Sequence, residues 1–178
     1  PSSPVASGAM STDAATARPQ LRSSWLLGLI ALLLTVPSTL VLAGQDSGLA
    51  RGSAVVSDVP VTTLVDDPAT PHPVVVVVHG FAGSAQLMDD LGVALARAGY
   101  AVVLPDLTGH GRNPQALPVR DGTVATDAID ADVAAVVQWA AQQPWADPSR
   151  LPALVGHSMG AGAVTRYAAD FPDAVGAT

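Results

Sequence analysis

Five consecutive valines, Val74 to Val78, stand between Pro73 and the pair His79-Gly80. Successive side chains of a strand point to opposite faces, so an unbroken β-branched run leaves neither face for water. The run predicts a strand covered on both sides, near the centre of a parallel sheet with helices on its two faces. The flanking segments fit that arrangement. Ser84 to Ala98 carries Leu87, Leu91, Ala94, Leu95 and Ala98 at the spacing of one helix face and closes at Gly99. Tyr100 to Leu104 reads as the next buried strand. A helix capped by Thr126 or Asp127 follows, with Ile129, Val133, Val136, Val137 and Ala140 on its inner face. Leu151 to Val155 reads as a third strand and Met159 to Ala169 as a third helix. Ahead of the valines, Val59 to Val65 reads as an early strand, and the three prolines of Asp66 to Pro73 mark a loop. Strands alternating with helices predict an α/β domain with a doubly wound, mostly parallel sheet.

A different segment precedes this domain. Trp25 to Ala43 is 19 residues without a charge, which as a helix rising about 1.5 Å per residue nearly spans a hydrocarbon core of about 30 Å. Pro37 divides it into an apolar run and a short tail ending Val41-Leu42-Ala43, where a signal peptidase requires small residues. Residues 25–43 are therefore expected to be a signal peptide or a membrane anchor. Residues 1–24 read as a flexible lead, 44–58 as a linker, and 59–178 as the folded domain. Arg18 and Arg22 hold the N-terminus in the cytoplasm, so the domain is expected to be exported, and either secreted or anchored to the membrane through 25–43.

Charge and composition narrow the chemistry. Eight basic and fifteen acidic residues give a net charge of -7 with no block of one sign, which argues against nucleic acid as a partner. Without cysteine there is no disulfide, thiolate nucleophile or thiolate metal site. Asp89, Asp90, Asp130 and Asp132 read as helix-surface charges with no spacing suited to a metal, and glycine-rich nucleotide loops are absent. Neither a metal nor a cofactor is expected. The lack of Lys and Glu beside abundant Ala, Val, Gly, Pro and Arg has the coding bias of a GC-rich bacterial genome.

The chemistry concentrates at Gly156-His157-Ser158-Met159-Gly160, directly between a strand and a helix. A sharp strand-to-helix turn strains its central residue, and glycines two positions to either side give the two elements room. The Ser158 hydroxyl is then lifted to a helix N-terminus, where backbone N–H groups favour a developing anion.

Three motifs in chain order resemble those of the α/β-hydrolase fold family: His79-Gly80-Phe81, Asp106-Leu107-Thr108-Gly109-His110-Gly111, and the Gly-His-Ser-Met-Gly elbow. The resemblance covers about Val59 to the end, with Thr108 and Asn113 departing from the usual residues around the second motif. It implies Ser158 as nucleophile and the backbone N–H groups of Phe81 and Met159 as the oxyanion hole. His79, Gly80, Gly156, His157 and Gly160 then support the elbow and the oxyanion loop. His79 is expected to fix that loop, His110 a turn, and Asp106 the loop after its strand. His157 is expected to lie beneath the elbow, and His72 to be a solvated loop residue.

In this family the catalytic acid and histidine follow the nucleophile. Only 20 residues follow Ser158, and Asp170 and Asp173 come too early. Both groups are therefore expected beyond residue 178, the domain is expected to be incomplete at its C-terminus with an unpaired edge at 151–155, and the chain alone is expected to be inactive. The function implied is that of an exported serine esterase or lipase acting on a small-molecule or lipid ester. The alternative is a non-catalytic, membrane-tethered module of the same fold, told apart by whether an acid and a histidine follow in the reading frame.

Overall fold

The computed structural model describes residues 21–45, 48–120 and 123–178, so residues 1–20 of the lead expected at 1–24, with Arg18, lie outside the described residues, while 21–24 open a helix. The chain divides into two compact units, Pro1–Leu42 and Ala43–Thr178. The first is built on α1, Leu21–Gln45. After its apolar first half come Pro37 and the hydroxyl residues Thr35, Ser38 and Thr39, whose side chains turn back onto the helix: Ser38 Oγ donates to the Leu34 carbonyl at 2.7 Å and Thr39 Oγ1 to that of Thr35 at 2.9 Å. Among the described residues no helix is long and apolar enough to cross a membrane.

The second unit begins where a linker was expected. β1, Ala50–Val56, pairs antiparallel with β2, Val59–Val65, from Ala50↔Val65 to Val56↔Val59. Ser57 and Asp58 join them with φ of 48° and 71°, the two-residue turn whose twist matches that of the strands. Gly52, Ser53 and two alanines give β1 poor strand propensity. It is a strand because β2 supplies a partner and the turn fixes the register.

β3, Val74–Val78, lies parallel to β4, Ala101–Pro105, on one side and to β7, Ala153–Gly156, on the other. The sheet order is β1-β2-β4-β3-β7, with β2 antiparallel to β4. The sheet is thus mixed, which corrects the mostly parallel sheet expected. A two-residue hairpin reverses the chain at its first step, whereas only the later strands are joined by helical crossovers. All five valines are buried, and they divide by parity. Val74, Val76 and Val78 pack with Ile129, Val133, Val136, Ala163 and Val164 of α3 (Thr126–Ala141) and α4 (Met159–Asp170). Val75 and Val77 face the other way, toward Val93 and Ala96 of α2, Asp89–Arg97.

α2 departs from the expected face. A short 3-10 turn, Ala85–Met88, precedes it, with Ser84 as N-cap, and the helix buries Gly92, Val93 and Ala96. Leu87 and Leu91 are 66% and 44% exposed. A Cβ at Gly92 would stand 3.0 Å from Leu64 and 3.1 Å from Leu104 side-chain carbons, so small residues bring this helix onto the sheet and the larger leucines turn outward. In the loop after β4, β5 (Val119–Arg120) and β6 (Thr123–Val124) pair antiparallel. The outer edge of β7, expected to be unpaired, carries one parallel bridge: the Leu154 N–H donates to the Ala177 carbonyl at 2.9 Å, and the Gly176 N–H to that of Pro152 at 2.9 Å.

Candidate active site

The register Val78↔Gly156 between β3 and β7 sends His79-Gly80-Phe81 and His157-Ser158-Met159 out of the sheet side by side. Ser158 has φ 52° and ψ -113°, a conformation that costs a non-glycine residue about 1–3 kcal/mol and persists only where the surroundings impose it. The two glycines impose it from different sides. A Cβ at Gly156 would lie 2.5 Å from backbone N and Cα of Ala161, so Gly156 lets α4 fold back over its own strand. A Cβ at Gly160 would lie 2.5 Å from the carbonyl oxygens of Val78 and His79, so Gly160 seats the helix on β3. The Ser158 side chain makes no cap bond to its helix, and among the described residues its hydroxyl has no hydrogen-bond partner.

The facing loop touches this turn, because a Cβ at Gly80 would be 3.1 Å from Ser158 Cβ. Gly83 donates its N–H to the Gly80 carbonyl at 3.0 Å, closing a turn in which Ala82 has φ 55°. His79 is fully buried between two backbone groups. Its Nε2 accepts the Leu107 N–H at 3.2 Å, so the proton sits on Nδ1, which donates to the Gly80 carbonyl at 2.8 Å. Burial above all holds the His79 pKa below its ordinary value. The Gly80 bond opposes this, the charge of His110 adds to it, and that of Asp106 opposes it. With no cis peptide present, the C=O of Gly80 and the N–H of Phe81 point in opposite directions across their shared peptide. Two bonds to that carbonyl therefore aim the Phe81 N–H away from the His79 ring. Neither this N–H nor that of Met159 meets a protein acceptor among the described residues.

A second layer lies behind the loop. The Asp106 carboxylate takes the Ala85 N–H at 2.7 Å and Arg112 Nε at 2.7 Å, shaping the loop after β4 as expected. Arg112 continues to Thr62 Oγ1 at 2.9 Å, a role the sequence reading did not foresee. His110 holds its turn by donating from Nδ1 to the Thr108 carbonyl at 2.9 Å, and its ring centroid lies 5.3 Å from that of His79 and 5.5 Å, edge-on, from that of Phe81.

Three expectations are corrected. His157 is exposed beside Gly80 rather than beneath the elbow, because the backbone of Gly160 against β3 fills that space. Asp132 is not a surface charge: it is buried, accepts the Thr108 N–H at 2.6 Å, and burial raises its pKa above the usual carboxylate value, against the Thr108 hydrogen bonds. Asp89 and Asp130 are paired surface charges, with Arg51 at 2.8 Å and Arg166 at 2.7 Å. His72 is half-buried, with Nδ1 at 3.1 Å from the Gly99 carbonyl and Nε2 at 2.8 Å from that of Asp67. It stands ahead of β3, at the end of the strand away from Ser158.

Among the described residues no histidine or carboxylate reaches the Ser158 hydroxyl, and no cluster of such groups forms a metal site. A cavity of about 620 Å³ lies behind the loop, lined by Arg51, Thr62, Asp89, Asp106 and Arg112, away from the elbow.

Residues 69–178 match the Hydrolase_4 family model, described as serine aminopeptidase, S33. An uncharacterised protein of Mycobacterium tuberculosis (strain H37Rv) is 34% identical over 102 residues, which are 57% of this chain and 34% of that protein. A thermostable monoacylglycerol lipase of Bacillus sp. (strain H-257) is 54% identical over 37 residues, 21% of this chain and 15% of the lipase. Among solved structures, the thioesterase domain from the curacin biosynthetic pathway superimposes with a TM-score of 0.54 and 27% identity, covering 71% of this chain and 43% of that domain. The chain spans about a third or less of the length of the curated relatives it matches.

Proposed function

Because the chain belongs to the serine aminopeptidase S33 family of α/β-hydrolases, we propose that Ser158 is the nucleophile of a serine hydrolase that cleaves carboxylic esters through an acyl-enzyme. The observation that carries this is the Ser158 backbone, strained at φ 52° with its hydroxyl left unbonded at the start of α4. Such strain clusters at functional sites, and the exposure it gives the Ser158 hydroxyl is what a nucleophile needs. Ser158 Oγ attacks the acyl carbon and passes its proton to a base. The N–H groups of Phe81 and Met159 receive the oxyanion, collapse expels the alcohol, and water then frees the acid. This chemistry needs a base at Ser158 Oγ, and among the described residues no histidine meets it.

The likeness to a monoacylglycerol lipase and a thioesterase domain supports an ester substrate, small or lipid. The family description names an aminopeptidase, and the same elbow would serve an amide. Comparing turnover of a nitrophenyl ester with that of an aminoacyl anilide decides between them. A fluorophosphonate probe tests the nucleophile itself: labelling is expected in the whole protein and absent in Ser158→Ala, and labelling that survives places the nucleophile elsewhere. The second reading, a non-catalytic module of the same fold, predicts no labelling in either protein.

The uncharged run at 25–43 behind Arg18 and Arg22 further supports export by a cleavable signal. Alkaline phosphatase fused after Gly48 is expected to be active outside the cytoplasm. An inactive cytoplasmic fusion overturns that part of the proposal.

A further inference from the structure

The buried carboxylate of Asp132 takes no part in the chemistry above, yet it lies two hydrogen-bonded steps from the oxyanion loop. It is on the inner face of α3, between the apolar Ile129 and Val133. An apolar residue there would extend the core cluster, and burying a carboxylate instead costs free energy unless it holds something in place. What it holds is the Thr108 N–H, at 2.6 Å. The preceding amide, that of Leu107, donates to His79 Nε2. The Thr108 carbonyl takes His110 Nδ1, whose ring braces Phe81. Successive groups of one turn thus point at α3, at His79 and at His110. Release of Thr108 frees the turn, and the Leu107 N–H no longer fixes which His79 nitrogen carries the proton. His79 then ceases to hold the Gly80 carbonyl, and with it the direction of the Phe81 N–H.

We propose that Asp132 is a positioning residue for the oxyanion donor at Phe81, acting through the 107–110 turn and the tautomer of His79. This rests on the reading of Phe81 and Ser158 given above. In the whole protein, Asp132→Asn keeps an acceptor for Thr108 and Asp132→Ala removes it. With a nitrophenyl ester, Asp132→Ala is expected to lower kcat roughly tenfold to a hundredfold, the range that follows from small misplacement of a catalytic group, with KM within about twofold. Asp132→Asn is expected to restore kcat to within about threefold of wild type. Nitrogen-15 NMR of the His79 ring gives a readout that a general loss of stability does not move: a single Nδ1–H tautomer in wild type and Asp132→Asn, and a mixture in Asp132→Ala. Should the alanine variant not fold, Asp132→Ser, too short to reach Thr108, is expected to show the same kcat loss and tautomer mixture. Wild-type kcat in Asp132→Ala, equal losses in the alanine and asparagine variants, or an unchanged His79 tautomer each overturn the proposal. Full turnover in Ser158→Ala, measured in parallel, overturns the site reading instead, and the NMR comparison stands apart from it.

Discussion

Among the described residues the backbone enters positive φ at non-glycine residues in two regions, and for opposite reasons. At Ser57 and Asp58, φ of 48° and 71° is simply what a two-residue hairpin between β1 and β2 requires. Any residue pair that tolerates that conformation would serve. At Ala82 and Ser158, φ of 55° and 52° arises where two loops leave adjacent parallel strands and nearly touch. At Ser158 the conformation is imposed by backbone packed against Gly156 and Gly160 and leaves a hydroxyl exposed, while Ala82 lies in the turn closed by the Gly83 N–H on the Gly80 carbonyl. The hairpin uses unusual backbone to economise on length, and the elbow uses it to expose one atom. Strain that can be relieved without loss belongs to folding. Strain whose relief abolishes turnover belongs to function.

The sharpest test of this contrast is Ser158→Ala in the whole protein. It keeps the turn and removes only the hydroxyl, so ester turnover is expected to fall on the order of a million-fold, as when a triad nucleophile is lost, while thermal unfolding stays as in wild type. A large drop in melting temperature would mean that the hydroxyl is structural. Next in size is Gly160→Val, which drives a branched side chain into the carbonyls of Val78 and His79. It is expected to cost about 3 kcal/mol or more in denaturant unfolding and to remove activity with it. A stable Gly160→Val would show that the elbow is looser than its contacts imply.

The pH dependence around His79 comes third. Its pKa is lowered in the folded state, so the unfolded chain binds the proton more tightly. Stability is then fully present above the ordinary histidine value of about 6.5 and is lost as pH falls below it. The drop in melting temperature from pH 7.5 to 5.5 is expected to shrink in His79→Asn, which donates to Gly80 but cannot titrate. An equal drop in both proteins assigns the acid sensitivity to another group. The smallest effect belongs to the hairpin. Asp58→Gly relieves a left-handed residue and is expected to raise stability by about 0.5 kcal/mol, with turnover unchanged. Altered turnover in that variant would couple the two regions and break the comparison.

Local pattern carried a good part of this molecule. Both-faced burial of Val74 to Val78 follows from residue type, because an unbroken β-branched run favours a strand and leaves neither of its faces for water. The strand-to-helix turn was also legible, since glycine at 156 and 160 leaves the room that backbone of Ala161, Val78 and His79 occupies. β1 was not. Its sequence has little strand preference, and its pairing with β2 is a contact between segments rather than a property of either. The outer face of α2 was misplaced for a related reason. Helical spacing marks Leu87 and Leu91 as apolar, but it does not show that Gly92 lets the helix rest on Leu64 and Leu104 with those leucines outside.

The sequence by itself determined the buried strand and the order of the motifs, and it singled out the serine proposed as nucleophile, because each depends on residues close together in the chain. Only the tertiary structure decided what the polar groups do. Asp132 and Thr108 are 24 residues apart, and His79 and Leu107 are 28 apart. Whether a carboxylate on an amphipathic helix meets water or a backbone N–H depends on which loop the fold sets above it. That is a matter of three-dimensional placement, on which the spacing of residues along a chain is silent.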